Sequence, residues 1–590
     1  MKFNQVARVF DAIEQESSRT AITKLLADLF KQATPTDAAT IAYLSLGSLN
    51  PPYIATQFNF AEKGLIKTMA LVLDTTVHAV QAAVHKHGDV GLVLAHASWA
   101  GGSDILSVHD VQKALHQFID LSGTGSQEHK EQYLVKLLRA LDPLSAKYIV
   151  RIIAGQLRLG FSDMTMLDAF SWMATGDKSI RKDIEEAYNI CADIGFIIKT
   201  LKTDGIEGIR KVNIVPGIPI LPAAAERLSS AGAIIERLGR CAAQPKLDGF
   251  RLQIHIDKTK HPHVVRFFSR NLLDMSPMFP DLAKSLEDLD VHNVVADGEA
   301  ICVDIQTGSF LPFQETVKRK RKYDIEKMSQ DFPLKLYLFD ILYLNGTSLL
   351  DQTHEHRRAQ LLKICDDAAI KKHQMIFPIE EEIFDKAGPL EAYFQQNIAL
   401  GLEGLVVKRM DAPYKAGKRN FNWIKLKRVE TGTLDDTIDC VILGYYFGQG
   451  KRASFGIGAL LVGVYNKHDD TFQTVAKIGT GLTDEEWREQ KKMCEHNKVD
   501  HKPHNVDCAN PLYPDVWTYP TTVCQVRADE ITRSPLHRAG ITEKTLGFAL
   551  RFPRLMGYRP DKKPTEATTT DELKELFALQ FAKRGKGEQK

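Results

Sequence analysis

Residues 241–256 read CAAQPKLDGFRLQIHI. Leu252, Ile254 and Ile256 alternate with Arg251, Gln253 and His255, the period of a half-buried strand. Lys246 stands two residues before the Asp248–Gly249 pair and five before Arg251. Asp-Gly at the head of a strand fits a surface turn. A lysine there also fits a nucleophile aimed at a ligand that approaches the backbone closely, which glycine permits. At a lysine's ordinary pKa of about 10.4, only about 0.04% is neutral amine at pH 7. Nearby cations, a metal ion or desolvation must therefore offset roughly 4–5 kcal/mol. The nucleophile reading requires cations and carboxylates on strands able to share the lysine's sheet.

Such residues follow in order. VVADGEA (294–300) sets Asp297 and Glu299 two apart, on one strand face. VVRFFSR (264–270) ends on Arg270, and YLFD (337–340) offers Phe339 as a stacking platform for a base. EGLVVK (403–408) carries Glu403 before an apolar run and Lys408 at its end. NFNWIKLK (420–427) puts Trp423, Lys425 and Lys427 on one face, Ile424 and Leu426 on the other. Cations suit a polyphosphate, carboxylates suit Mg²⁺ and an aromatic suits a purine. Singly, each piece reads as a turn, a hairpin or a solvated edge. Together they describe a pocket for a nucleoside triphosphate.

At 590 residues the chain is too long for one core. Residues 1–200 carry helical periods, such as Phe3, Val6, Phe10 and Ile13, with few strand-like runs. Prolines 216, 219 and 222 mark a linker, after which short β-like runs alternate with helical patterns. Beyond Lys427, TIDCVILGYYFG, GALLVGVYN, TFQTVAKIG and TTVCQVRADEI are strands spaced for a small barrel. Thr569 and Glu572 form a capping box for a last helix, and RGKGEQK is a disordered tail. The reading is thus multidomain: an all-α domain over 1–208, an α+β domain over 209–428 and a β-barrel domain over 429–590.

A net charge of +2 excludes neither an acidic nor a basic partner, because binding depends on local patches. The eight cysteines are scattered, without a CxxC, and read as reduced thiols of an intracellular protein. No signal peptide or membrane span is read, so no membrane partner is expected and the location is cytoplasmic, or nuclear in a eukaryote.

KLDGFR, FSRN, DGE, YLFD, EGLVVK and WIKLK resemble, in order, the motifs of covalent nucleotidyltransferases, the superfamily of DNA ligases, RNA ligases and capping enzymes. GTGSQEHK (123–130) and AKYIVRIIAGQLRLGFSD (146–163) resemble the helical DNA-binding domain of ATP-dependent DNA ligases. EITRSPLH (530–537) and LRFPRLMGYRPDKKPTEATT (550–569) resemble their C-terminal OB-fold. The compact length is similar to the archaeal and bacterial enzymes.

The resemblance implies an enzyme that seals nicks in double-stranded DNA during replication, repair and recombination, with ATP and Mg²⁺. By similarity Lys246 attacks the α-phosphate, Phe339 stacks on adenine, and Arg251 and Arg270 face ribose and phosphates. Glu299 and Glu403 serve ribose and Mg²⁺, and Lys408, Arg419, Lys425 and Lys427 contact phosphates. Gln244 occupies a base-contacting place where many members carry Glu; the amide keeps hydrogen bonds without charge. Arg559, with Asp561 and Lys562, resembles the motif that orients the leaving pyrophosphate, and RVETGTLDD (428–436) is the implied hinge.

The DNA grip is expected through the backbone at GTGS and through Lys147, Arg151 and Arg158. KRKRK (318–322) reads equally as a phosphate patch or an exposed helix end. Gln112, Leu115 and Phe118 resemble a degenerate sliding-clamp peptide, though their spacing also fits helix core. Cys494, His496, His501, His504 and Cys508 fit no standard zinc pattern and read as an unliganded surface loop. An NAD-dependent ligase would bring a four-cysteine zinc module, a capping enzyme would not need 200 leading helical residues, and an inert nicked-DNA scaffold would not need the full set of lysines and carboxylates. A monomer is expected.

Overall fold

The computed structural model describes residues 1–585 except 17, 55, 88, 100, 103–105, 124, 156, 158, 160, 305–309, 312–315, 317–318, 320–327, 330, 401, 428–436, 449–454 and 544. The chain divides into two compact units, residues 1–84 with 90–428 and residues 85–89 with 429–590. Among the described residues, no helix is long and apolar enough to cross a membrane.

Helices fill Phe3 to Arg210, and their apolar stripes meet in one core around Phe3, Phe10, Phe118, Tyr148 and Phe170. Polar side chains set their ends. Ser107 and Asp110 form a reciprocal cap for Val108–Asp120, and Asp142 caps a helix that starts on Pro143. Leu115 and Phe118 are fully buried, and Gln112 accepts a hydrogen bond from Thr40 at 3.1 Å. The clamp-peptide reading is therefore overturned: the residues it needs are core. Gly123 and Gly125 take positive φ of 90° and 78° ahead of Ser126–Ala140, while Thr124 lies outside the described residues.

Lys147 and Arg151 do not present their charges to DNA. Lys147 Nζ lies 2.9 Å from Asp11 and 2.8 Å from Glu14, and the Arg151 guanidinium grips both Glu14 oxygens at 2.8 and 2.9 Å. Burial alone would raise the Glu14 carboxyl, but the hydrogen bonds from Arg151 and Lys147 outweigh it and hold it at about 2. Removing Arg151 leaves the half-buried Glu14 paired with Lys147 alone. Arg151→Ala is expected to cost about 2–3 kcal/mol of stability in denaturant titration. Its affinity for nicked DNA at a temperature where it stays folded should be unchanged; a weakened affinity there would restore the DNA-grip reading. Arg158 lies outside the described residues.

The α+β region builds two sheets. Its strands are β1 (Ala224–Arg227), β2 (Cys241–Pro245), β3 (Phe250–Asp257), β4 (Val264–Ser269), β5 (Asn293–Cys302), β6 (Leu334–Leu344), β7 (Thr347–Ser348), β8 (Ile376–Pro378), β9 (Glu382–Phe384), β10 (Gly404–Arg409) and β11 (Arg419–Lys427). One sheet runs β1-β11-β10-β2-β9; the other runs β4-β3-β5-β6-β7, with β8 beside β6. β3 differs from the half-buried strand its alternation predicts. The 216–222 segment folds back over its polar face, where Gly217 N–H donates to His255 Nδ1 at 3.0 Å and Ile220 N–H to Gln253 Oε1 at 2.7 Å. Both side chains are buried, and burial lowers His255 to about 3, so its ring is neutral. Within KRKRK only Arg319 is described. It is buried and grips Asp281 at 2.7 and 2.8 Å, so at that position neither surface reading holds.

In the C-terminal unit, the strand Ile438–Tyr446 pairs from Val441 to Tyr446 with Ala459–Gly463 and, on its other side, with Val523–Arg527 at its start and Val516–Thr518 at its end, which curls the sheet. The capping box at Thr569 forms, with Glu572 N–H donating to Thr569 Oγ1 at 3.2 Å and Thr569 N–H to Glu572 at 2.7 Å, and opens Thr570–Gly585. Cys494 is buried within the helix Asp484–His496 rather than in a surface loop, and Cys508 is buried as well. No group of three or more His, Cys, Asp or Glu placed to hold a metal ion occurs among the described residues. The hinge expected at 428–436 and residues 586–590 of the tail lie outside the described residues.

Candidate active site

The two sheets of the α+β region together line a cavity of about 550 Å³. Gln244, Lys246, Arg251, Arg270, Glu299, Phe339, Glu403, Lys408, Arg419, Lys425 and Lys427, all singled out from the sequence, line it. Two glycines let the backbones meet there. A Cβ on Gly249 would stand 2.3 Å from the Ala300 carbonyl oxygen, so the glycine after Asp248 lets the start of β3 press on β5. Gly404 takes φ 137°, and a Cβ there would stand 2.1 Å from the Leu426 oxygen. That approach seats Lys246, whose N–H donates to the Gly404 carbonyl at 2.8 Å.

The Lys246 ammonium pairs with Glu403, which also meets Lys427 at 2.8 Å. Burial alone would raise the Glu403 carboxyl; Lys246 and Lys427 outweigh that and hold it below its usual range. Glu299 stands opposite in behaviour. Burial pushes it up to about 7, against the pull of Lys246, Arg251 and a 3.1 Å hydrogen bond from Gly249 N–H. Lys425 sits among cations: burial lowers it first, and Arg419, Lys427, Arg227 and Arg270 lower it further. That wall suits a polyanion.

Phe339 lines the cavity with Trp423 edge-on at 6.1 Å and the Arg251 guanidinium 5.7 Å from its ring centre. Arg251 is held by Asp297 at 2.7 Å, and Asp297 also accepts from Tyr414 at 2.9 Å. Lys408 is fully buried: its ammonium donates to the Phe339 carbonyl at 2.7 Å and lies 3.5 Å from Asp340, 4.3 Å from the Trp423 ring centre. Burial lowers it to about 8 against the pull of Asp340 and Glu381. Arg357 secures Asp340 through bonds of 2.7 and 3.2 Å.

Sequence reasoning missed this supporting layer. Asp340 adjoins Phe339 in YLFD and carried a signal; Arg357, Tyr414 and Glu381 carried none. Arg559 belongs to the C-terminal unit, where it grips Asp561 at 2.9 and 2.7 Å and lies 3.4 Å from Asp439, while Lys562 donates to Asp439 at 2.6 Å.

A lysine seated between two sheets, in a cavity lined by carboxylates, cations and an aromatic ring, defines a covalent nucleotidyltransferase. Comparison with known proteins narrows the class. Residues 2–171 match the DNA ligase N terminus, 222–427 the ATP dependent DNA ligase domain and 453–562 the ATP dependent DNA ligase C terminal region. A probable DNA ligase of Dictyoglomus turgidum is 45% identical over 98% of this chain and 97% of its own. DNA ligase 2 of Thermofilum pendens is 37% identical over 98% of each. Among solved structures, Pmar-Lig_PreS3 has a TM-score of 0.56 at 17% identity, covering 94% of this chain and 99% of that one, a likeness of fold. The chain belongs to the ATP-dependent DNA ligases, which seal nicks in DNA.

Proposed function

We propose that Lys246 is the nucleophile of self-adenylation. Its Nζ bonds to the α-phosphorus of ATP, the bond to the bridging oxygen breaks, and pyrophosphate leaves with the electron pair. The ammonium must first lose a proton, and its ion partner Glu403 is the adjacent carboxylate. The observation that carries this reading is the seat of Lys246 in one cavity with Phe339 and the cations Arg270, Arg419, Lys425 and Lys427. Phe339 and Gln244 hold the base, Arg251 and Glu299 face the ribose, and the cations hold the phosphates. AMP then passes to the 5′-phosphate at the nick, and the 3′-OH displaces it. Arg559, with Asp561 and Lys562, orients the pyrophosphate in the first step alone, and the curled C-terminal sheet is an OB-fold. Incubation with α-labelled ATP followed by peptide mapping tests the nucleophile: label is expected on Lys246 as an acid-labile, base-stable adduct, and label elsewhere refutes the assignment.

Glu299 and Glu403 fit Mg²⁺. Glu299 is half-buried, and no lysine or arginine lies within ion-pair distance of it among the described residues. A bound divalent ion would supply neutralisation of phosphate charge there. The sign of the pH effect follows. Glu299 titrates near 7, and only its ionised form binds the metal, so metal binding strengthens as pH rises through 7. At subsaturating Mg²⁺, self-adenylation is expected to rise across that pH, with the midpoint moving down as Mg²⁺ is added. Glu299→Gln should abolish the movement; a midpoint indifferent to Mg²⁺ in the unmodified protein would remove Glu299 from the metal site.

A further inference from the structure

Behind the wall that carries Gln244 lies a polar cluster that the chemistry above does not use. Glu381 precedes β9, and the helix His354–Cys365 turns His354 and Arg358, four residues apart, toward it. Gln244 Nε2 donates to Glu381 Oε2 at 2.6 Å, and His354 Nε2 meets the same oxygen at 2.8 Å. Arg358 Nε lies 3.6 Å from the other oxygen. Burial alone would raise this carboxyl, but the hydrogen bond from His354 and the charges of Arg358 and Lys408 outweigh it and hold it at about 2. Glu381 is therefore an acceptor only.

An acceptor-only partner dictates its neighbours' orientation. His354 must carry a proton on Nε2, and Gln244 must turn its NH₂ group to Glu381. The Gln244 carbonyl, which receives no hydrogen bond among the described residues, is left for the cavity that Gln244 lines.

We propose that Glu381, anchored by His354 and Arg358, is the positioning residue that makes Gln244 select adenine over 6-oxopurines; this rests on Gln244 and Phe339 forming the base pocket. A carbonyl aimed at the purine 6-position accepts a hydrogen bond from the 6-amino group of adenine. Against the 6-oxo group of guanine or hypoxanthine it opposes two acceptors and leaves both unpaired in a buried site. An unanchored glutamine could turn its amide over and donate to the 6-oxo group. The anchored one cannot do so without placing its carbonyl on a carboxylate.

The test compares self-adenylation of the full chain with ATP, ITP and 2,6-diaminopurine riboside triphosphate. ITP lacks the 2-amino group of GTP, so ATP and ITP differ only in their 6-substituent and its tautomer. The unmodified protein is expected to prefer ATP and the diaminopurine nucleotide over ITP by about 100-fold or more in kcat/KM. Glu381→Gln presents an NH₂ group to Gln244 and frees its amide to turn. That variant is expected to narrow the ATP-to-ITP ratio at least about tenfold, with the ITP rate rising in absolute terms. A purely structural role would lower both rates and raise neither. If Glu381→Gln does not fold, His354→Leu removes one anchor and keeps the Arg358–Glu381 charge pair; it is expected to narrow the ratio severalfold. Equal use of ATP and ITP by the unmodified protein, or folded variants that lose both nucleotides in the same proportion, overturns the proposal. Failure of the underlying base pocket looks different: Phe339→Ala would then leave the KM for ATP unchanged.

Discussion

Lys246→Ala is expected to lower self-adenylation by at least about 10⁴-fold while leaving the sealing of a pre-adenylated nick within about 100-fold of normal. The difference comes from where the lysine acts. In the proposed first step its nitrogen forms the bond to phosphorus, and Lys408, buried against Asp340, cannot take its place. In the last step the DNA supplies its own nucleophile, the 3′-OH, and the lysine contributes charge alone. Lys246→Arg should fail the first step equally, because a guanidinium does not give up its proton. The assay is transfer of label from α-labelled ATP beside joining of a synthetic adenylated nick. A misfolded protein would lose both activities. Joining of unadenylated nicks at a normal rate by Lys246→Ala would end the mechanism.

Arg559→Ala is expected to slow self-adenylation by about 10²–10³-fold, the scale of removing one charged donor from a developing anion, and to leave sealing of adenylated DNA nearly unchanged. Pyrophosphate gathers negative charge only as the first bond breaks, and a guanidinium matches it with two parallel donors. The fold should tolerate the loss. Arg559 is partly exposed, and its partners Asp561 and Asp439 remain neutralised in part by Lys562. Arg559→Lys should recover part of the rate, since the charge stays and the fork is lost. Equal losses in both assays would show that Arg559 serves the fold or the DNA rather than the leaving group.

The residues that line the cavity were legible from the chain because each is announced locally. A lysine ahead of Asp-Gly, a Phe-Asp pair ending an apolar run and alternating lysines after a tryptophan are statements about period and chemistry within a few residues. Side-chain surroundings were not legible. Lys147 and Arg151 have the composition of a phosphate grip, yet Asp11 and Glu14, 136 and 137 residues away, hold them in the interior. Leu115 and Phe118 carry a peptide-like spacing that the helical core absorbs. Gln253 and His255 occupy the polar face of β3, and the returning 216–222 segment buries that face.

Glu381 marks the limit most clearly. In IEEEIF (379–384) it is one of three adjacent glutamates, and nothing in that stretch separates it from its neighbours. It acquires a role only because folding sets it 2.6 Å from Gln244, 137 residues earlier. The chain by itself determined which elements form and which reactive groups they carry, since both depend on short-range period and residue type. Tertiary structure alone decided which charges are spent on one another and which stay open to a ligand, because the energy of a charge or amide depends on the burial and partners that distant segments supply.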